Sequence, residues 1–225
     1  MGKFLLIQLF AIFLIFNNSM SEIKFLESIF TKDTDQNKQS KILEEHKNGI
    51  YENSIKFFQK YAAKGVTEAQ YNLAVSYYYG MGVDVDYKKA AELYKIASDK
   101  GNSTAQFALS IMYAQGQGVD QDMNEFFRLT KLSAKNKEPG AIYNLSQMYK
   151  FGDGGLSKDE KKTFILCKEA ADKGYVKAQT SLGLMYALGK GTEENIDKAI
   201  KYFKLAASSG SKEAKEYLAQ LNIQF

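Results

Sequence analysis

Disulfide chemistry is the first thing this sequence excludes from its own scaffold. It has one cysteine, Cys167, and a lone thiol closes no internal bridge. One histidine, His46, stands beside it, too few of the usual ligands for a zinc site. Tryptophan is absent, and proline and arginine occur once each, as Pro139 and Arg128. With Arg128 alone the planar fork that reads phosphate and guanine is nearly absent, and the lysines are spread along the chain among acidic neighbours. Nucleic acid is therefore not an expected partner, and the basic residues read as solvated surface.

Long apolar runs are nearly absent as well, with one exception at the start. Lys3 precedes an apolar run over residues 4–16, followed by Asn17, Asn18, Ser19, Met20 and Ser21. That is the layout of a secretory signal peptide: the run falls short of the ~20 residues a helix needs to cross a bilayer, and Ser19 and Ser21 suit a cut before Glu22. The expectation is a leader over residues 1–21, a secreted or periplasmic protein, and membrane attachment only if the leader stays uncleaved. Losing Lys3 lowers the formal charge from +4 to +3, which points to no strongly charged partner. An endoplasmic reticulum lumen fits only a eukaryotic host, where the sequons at Asn102 and Asn144 would be usable.

What the sequence does have is an internal period. Cutting before Ala69, Ala105, Ala141, Ala178 and Ala214 gives blocks of nearly constant length. Four residues after each alanine stands a leucine (Leu73, Leu109, Leu145, Leu182, Leu218), and eight after the first four stands a tyrosine (Tyr77, Tyr113, Tyr149, Tyr186). Steps of four put these on one face of a helix. Three residues later comes Gly-x-Gly (Gly80, Gly82; Gly116, Gly118; Gly152, Gly154; Gly189, Gly191), the sequence of a helix C-cap and tight reversal rather than a phosphate loop, which would follow a strand. A second amphipathic helix follows in each block, at residues 88–100, 124–136, 160–173 and 197–209. Glycine closes it at Gly101, Gly174 and Gly210, whereas the second block has Lys137 there and puts Pro139 at the helix boundary, where it does little harm.

The pattern Ala-x-x-x-Leu-Gly-x-x-Tyr-x-x-Gly-x-Gly, best kept from Ala178 to Gly191, with Lys198-Ala199 opening the second helix, resembles the Sel1-like repeat. The resemblance implies an all-α, right-handed superhelical solenoid of stacked hairpins. Its repeats would be 69–104, 105–140, 141–177 and 178–213, with a half repeat before them and a capping helix at 214–221, in a solenoid spanning 48–225. Residues 22–47 would be an amphipathic and polar segment acting as a tether. Two departures stand out: the second repeat has Glu125-Phe126 for Lys-Ala and Thr130 for an aromatic residue, and the third has one extra loop residue.

Such stacking lines a concave side with the first helix of each hairpin. By resemblance the partner-binding residues are Tyr71, Val75, Tyr78 and Tyr79; Phe107 and Ile111; Tyr143, Gln147 and Phe151; Leu184 and Leu188. Tyrosine and phenylalanine give large contact area at low entropy cost, so the expected ligand is a protein or peptide, with packing between repeats as the competing role for Tyr71 and Tyr143. Cysteine-rich members of the family include β-lactamase-like and penicillin-binding proteins. Ser209 to Lys212 does read Ser-x-x-Lys, but Ser-Asp-Asn and Lys-Thr-Gly are missing, as are the paired cysteines. The expectation is a non-catalytic scaffold without metal or cofactor; a hydrolase of that subgroup and an endoplasmic reticulum quality-control adaptor are the alternatives.

Overall fold

The computed structural model describes residues 44, 45 and 48–224. The expected leader, His46 and nearly all of the 22–47 segment lie outside the described residues. Among the described residues ten helices follow one another without a strand: α1 Glu52–Ala63, α2 Thr67–Tyr79, α3 Tyr87–Asp99, α4 Ser103–Gln115, α5 Met123–Lys135, α6 Pro139–Phe151, α7 Glu160–Asp172, α8 Val176–Leu188, α9 Ile196–Ser208 and α10 Lys212–Gln220. The chain forms two compact units that meet in sequence at residues 121 and 122, so α1–α4 belong to the first and α5–α10 to the second. No described helix is long and apolar enough to cross a membrane.

Each unit is a row of antiparallel helices in which every element packs on its neighbours in sequence, the all-α stacked-hairpin class that the period implies. The even-numbered helices from α2 to α8 carry the alanine of the period and are called A; the odd-numbered ones from α3 to α9 are called B. The period alanines Ala69, Ala105, Ala141, Ala178 and Ala214 are all fully buried. With only a methyl group at these points, backbones come close enough for Leu73, Leu109, Leu182 and Leu218 to bury as well. The B helices bury one stripe, with Phe58 of α1, Tyr94 and Phe203 at the equivalent point; burying a ring of that kind stabilises by roughly 1.5–3 kcal/mol.

Helix ends are fixed by the same few devices in each repeat. Every B helix is opened by an Asx side chain that accepts a backbone N–H: Asp86 from Lys89, Asp122 from Asn124 and Glu125, Asp159 from Lys162, Asn195 from Lys198. Every A helix from α2 to α8 ends on a left-handed glycine. Lys137 takes up φ 67°, where the other hairpin junctions have Gly101, Gly174 and Gly210 in the same region. Pro139 is the first residue of α6, where its missing N–H would have had no partner anyway.

The second glycine of each Gly-x-Gly answers to a different demand, close approach. A side chain on Gly118 would collide with the Tyr87 carbonyl, one on Gly191 with the Glu160 carbonyl, and one on Gly82 would lie 2.7 Å from Tyr51 Cβ. In all three the loop rests on the N-terminal turn of the preceding B helix. The third loop differs: Gly154 meets Phe127 and Met148 instead, and Gly155 has open space around it.

Candidate protein-binding surfaces

Two pairings recur within the repeats and explain residue choices by internal packing. A glutamine follows the period alanine in three repeats, and its Nε2 donates back to a carbonyl at the end of the preceding B helix: Gln70 to Ala62 (3.3 Å), Gln106 to Ser98 (3.1 Å) and Gln179 to Ala171 (3.4 Å). The lysine at the start of the B helix sits over the period tyrosine, Lys89 (of Lys-Ala) over Tyr77 at 4.5 Å, Lys162 (of Lys-Thr) over Tyr149 at 5.0 Å and Lys198 (of Lys-Ala) over Tyr186 at 5.2 Å. In the second repeat Glu125 stands at that point, and both its oxygens accept from Arg128, at 2.8 Å each.

Those constraints leave the A helices of each unit as the place to look for exposed side chains. In the first unit two of the sequence-derived residues are corrected. Val75 has no exposed surface and Tyr71 only 7%, its ring packed on Tyr94 at 5.8 Å; both are core, because α2 is covered by α1 on one side and α3 on the other. Tyr78 and Tyr79 are half-buried, packed edge to face at 4.8 Å, and Tyr78 also meets Tyr87 at 5.2 Å. The Tyr78 hydroxyl donates to Gln117 Oε1 at 2.8 Å, while burial pushes its pKa up to about 12 and that of Tyr79 higher still. Phe107 and Ile111 are half-buried on α4, a helix without a single charged residue.

In the second unit Phe151 is 56% and Leu188 59% exposed, each the last residue of its A helix. Lys150 Nζ lies 5.1 Å from the Phe151 ring centre, and Leu184 is half-buried one turn before Leu188. Tyr143 is half-buried: its hydroxyl shares a hydrogen bond with Ser181 Oγ at 3.0 Å and its ring meets Tyr175 at 5.4 Å, so it ties α6 to α8 while showing one edge. Gln147 Nε2 donates to Ser146 Oγ at 3.2 Å and lines a small opening with Met123, Phe126, Phe127 and Met148.

The residues that prompted catalytic readings have structural roles here. Ser209 ends α9; Ser211 opens α10 by accepting from Ala214 N at 3.2 Å and shares a hydrogen bond with Thr180 at 3.1 Å. Cys167 is buried, its thiol donating to the Ala178 carbonyl at 3.4 Å, and burial pushes its pKa up to about 12. Among the described residues no three His, Cys, Asp or Glu side chains gather where a metal could be held.

Sequence reasoning missed two features. The glutamine ties were signalled by Ala-Gln at the head of three blocks. The openings beside Phe127 lie where the departure in α5 meets the longer third loop, a meeting that the sequence pattern does not reveal.

Comparison with known proteins agrees with this architecture. The Sel1 repeat pattern matches residues 67–102, 103–136, 139–175 and 176–211, each stretch taking in one A helix and the following B helix. The structure resembles that of a Sel1 repeat protein from Oxalobacter formigenes, with TM-score 0.69 and 29% identity, over 79% of this chain and 72% of that one. In sequence the chain is 33% identical over 173 residues to DAP3-binding cell death enhancer 1 of Rattus norvegicus, covering 76% of this chain and 26% of the relative. It is 39% identical over 59 residues to the chitin synthase regulator SKT5 of Saccharomyces cerevisiae, covering 26% of this chain and 8% of that protein. The chain thus spans about a quarter or less of the length of either curated relative. With four matched repeats and a hairpin stack that reproduces them, the chain belongs to the Sel1 repeat family.

Proposed function

We propose that this protein is an exported, non-catalytic scaffold that holds a peptide or helix of a partner protein on the exposed apolar side chains of its A helices. The Sel1 repeat fold is that of a protein-interaction scaffold, and the family is generally non-catalytic. The observation that carries the finer reading is the pair Phe151 and Leu188. Two large apolar side chains stand more than half exposed at the same position of successive A helices, with half-buried Leu184 behind them. Both are large exposed apolar groups, and such groups gathered on one surface are typical of sites that bind. In the first unit Tyr78, Tyr79, Phe107 and Ile111 offer a neutral, aromatic counterpart. Two curated relatives are named for acting on other proteins, one as a binder of DAP3 and one as a regulator of chitin synthase. Export rests on the leader-like residues 1–21.

The test is affinity capture from envelope and secreted fractions, comparing the protein with a Phe151→Ala, Leu188→Ala variant that keeps its helical circular dichroism. Loss of a partner with the folded variant supports the surface. Unchanged capture removes it. Fractionation of cells expressing the chain with and without residues 1–21 tests export, and an equal distribution of the two forms would sink that part.

A further inference from the structure

We propose a second binding site in the second unit: the two openings that share Phe127 form a docking site for a short acidic peptide segment that carries an apolar anchor. The site takes from the preceding section only that the chain binds protein segments, and neither Phe151 nor Leu188 lines it.

The chain supplies its own internal comparison. At Gly82, Gly118 and Gly191 the Gly-x-Gly loop rests on the first turn of the preceding B helix so closely that a methyl group would not fit. The third loop is one residue longer and rests on side chains instead: a methyl on Gly154 would meet Met148 and Phe127, and Gly155 is left with nothing near it. An opening of about 550 Å³ results, lined by Asn124, Phe127, Arg128, Lys131, Gly154 and Gly155. The preceding B helix, α5, also departs from the repeat, as α7 does with Thr163 and Cys167 at the equivalent points. Where α3 and α9 have a fully buried alanine (Ala90, Ala199), α5 has Phe126, which stays partly exposed and packs at 5.2 Å on Phe127. On the far side of Phe127 a second opening of about 260 Å³ is lined by Met123, Phe126, Met148, Asn144, Gln147 and Asp153. The departure in α5 and the longer third loop therefore meet at one place.

The chemistry of the lining names the occupant. The larger opening has two cations and no carboxylate. Arg128 and Lys131 are three residues apart on α5, and Lys135 follows four later on the same exposed face. Glu125, the only acid of α5, is committed to Arg128, and Lys131 spends one donor on the Gly154 carbonyl at 2.7 Å, keeping two for a ligand. The smaller opening has two methionines and two phenylalanines for an apolar anchor, with Asn144, Gln147 and Asp153 as its polar wall, so the ligand's carboxylate belongs over the larger opening, away from Asp153. A segment crossing Phe127 can place an apolar side chain in the second opening and a carboxylate over the first.

The experiment pans a displayed random heptapeptide library against the full chain, then measures the selected peptides by fluorescence anisotropy against two variants. Deleting Gly155 restores the loop length of the other repeats; Lys131→Glu reverses one charge of the lining without touching the core. The expected result is a consensus with Asp or Glu beside an aromatic or aliphatic residue, and at least tenfold weaker binding to both variants. If the deletion fails to fold by circular dichroism, Lys131→Glu decides alone. Selection without acidic residues, or acidic peptides held equally by Lys131→Glu, overturns the site. Acidic peptides lost instead with Phe151→Ala, Leu188→Ala would leave the A-helix reading standing and remove this one. Phenylacetate competing as well as the peptides would make the opening a small-molecule pocket and equally remove it.

Discussion

Two glycines of the second unit have nearly the same backbone and opposite surroundings, so a pair of alanine substitutions separates backbone strain from close approach. Gly191 has φ 70° and Gly155 φ 76°. At both, a Cβ in the left-handed region costs about 1–2 kcal/mol. At Gly155 that is the whole effect, since nothing lies within 4 Å of the added methyl. At Gly191 the methyl would strike the Glu160 carbonyl oxygen and lie 2.9 Å from Phe164 Cβ and 3.0 Å from the Glu160 carbonyl carbon. Two of these three atoms are backbone of α7, so relief requires moving the loop or the helix, an overpacking cost of about 1–3 kcal/mol more. Gly155→Ala should then lose about 1–2 kcal/mol and Gly191→Ala about 2–5 kcal/mol, with each kcal/mol worth ~2–4 °C in Tm for a chain of this size. Urea titration followed by far-ultraviolet circular dichroism measures both. Equal losses within about 0.5 kcal/mol, or a larger loss at Gly155, would refute the claim that the second glycine is there for close approach.

Further outcomes follow from single sites. Lys137→Gly should raise stability by about 0.5–1 kcal/mol, because relief of a left-handed lysine outweighs the exposed 2.9 Å ion pair with Glu169, itself worth little; a lower midpoint in urea contradicts this. Thr130 is fully buried, and its hydroxyl finds no hydrogen-bond partner among the described residues, so Thr130→Val should stabilise by about 1–2 kcal/mol in the same titration. Gly183→Ala sets helix propensity against packing: alanine is favoured by about 1 kcal/mol in a helix, but its methyl would sit 2.5 Å from Phe203 Cε1, and Phe203 is buried on all sides. Packing should win, with a net loss of about 1–2 kcal/mol, and a gain would mean the ring has room to move. Cys167 should stay unreactive to a disulfide reagent at pH 8 in the native protein and react fully in urea; burial raises its pKa from 9.0 to about 12, so the thiolate appears only well above pH 8 unless the chain opens.

The fold was legible because its signal is repeated. One Ala-x-x-x-Leu-x-x-x-Tyr is weak, but the same spacing four times leaves only a stacked-hairpin reading, and the helices begin within a residue or two of where the pattern puts them. The surface was legible only in part. Val75 and Phe151 each fall at a position assigned to the inner side, yet one is fully buried and the other 56% exposed. Helical spacing gives the direction a side chain takes, whereas exposure depends on how far the helix is covered along its length. α2 is covered on two sides over its middle turns, while the last residue of α6 runs out past its neighbours' support. Tyr143 shows a third case, half structural and half surface, which no periodicity separates. The opening at Phe127 needed three-dimensional information of another kind, since an extra glycine in a loop says nothing about what lies under it.

That extra glycine also bears on how a chain of this type changes. Because each hairpin leans only on its neighbours, lengthening one loop disturbs the two helices beneath it and is not passed along the row. The three loops that kept their length continue to hold their helices as before. A surface can therefore be uncovered, or sealed again, by inserting or deleting one codon, with no compensating change elsewhere. In most folds a new cavity has to be carved from a shared core; here the repeat keeps a spare junction in every period, and novelty is confined to the junction that was altered.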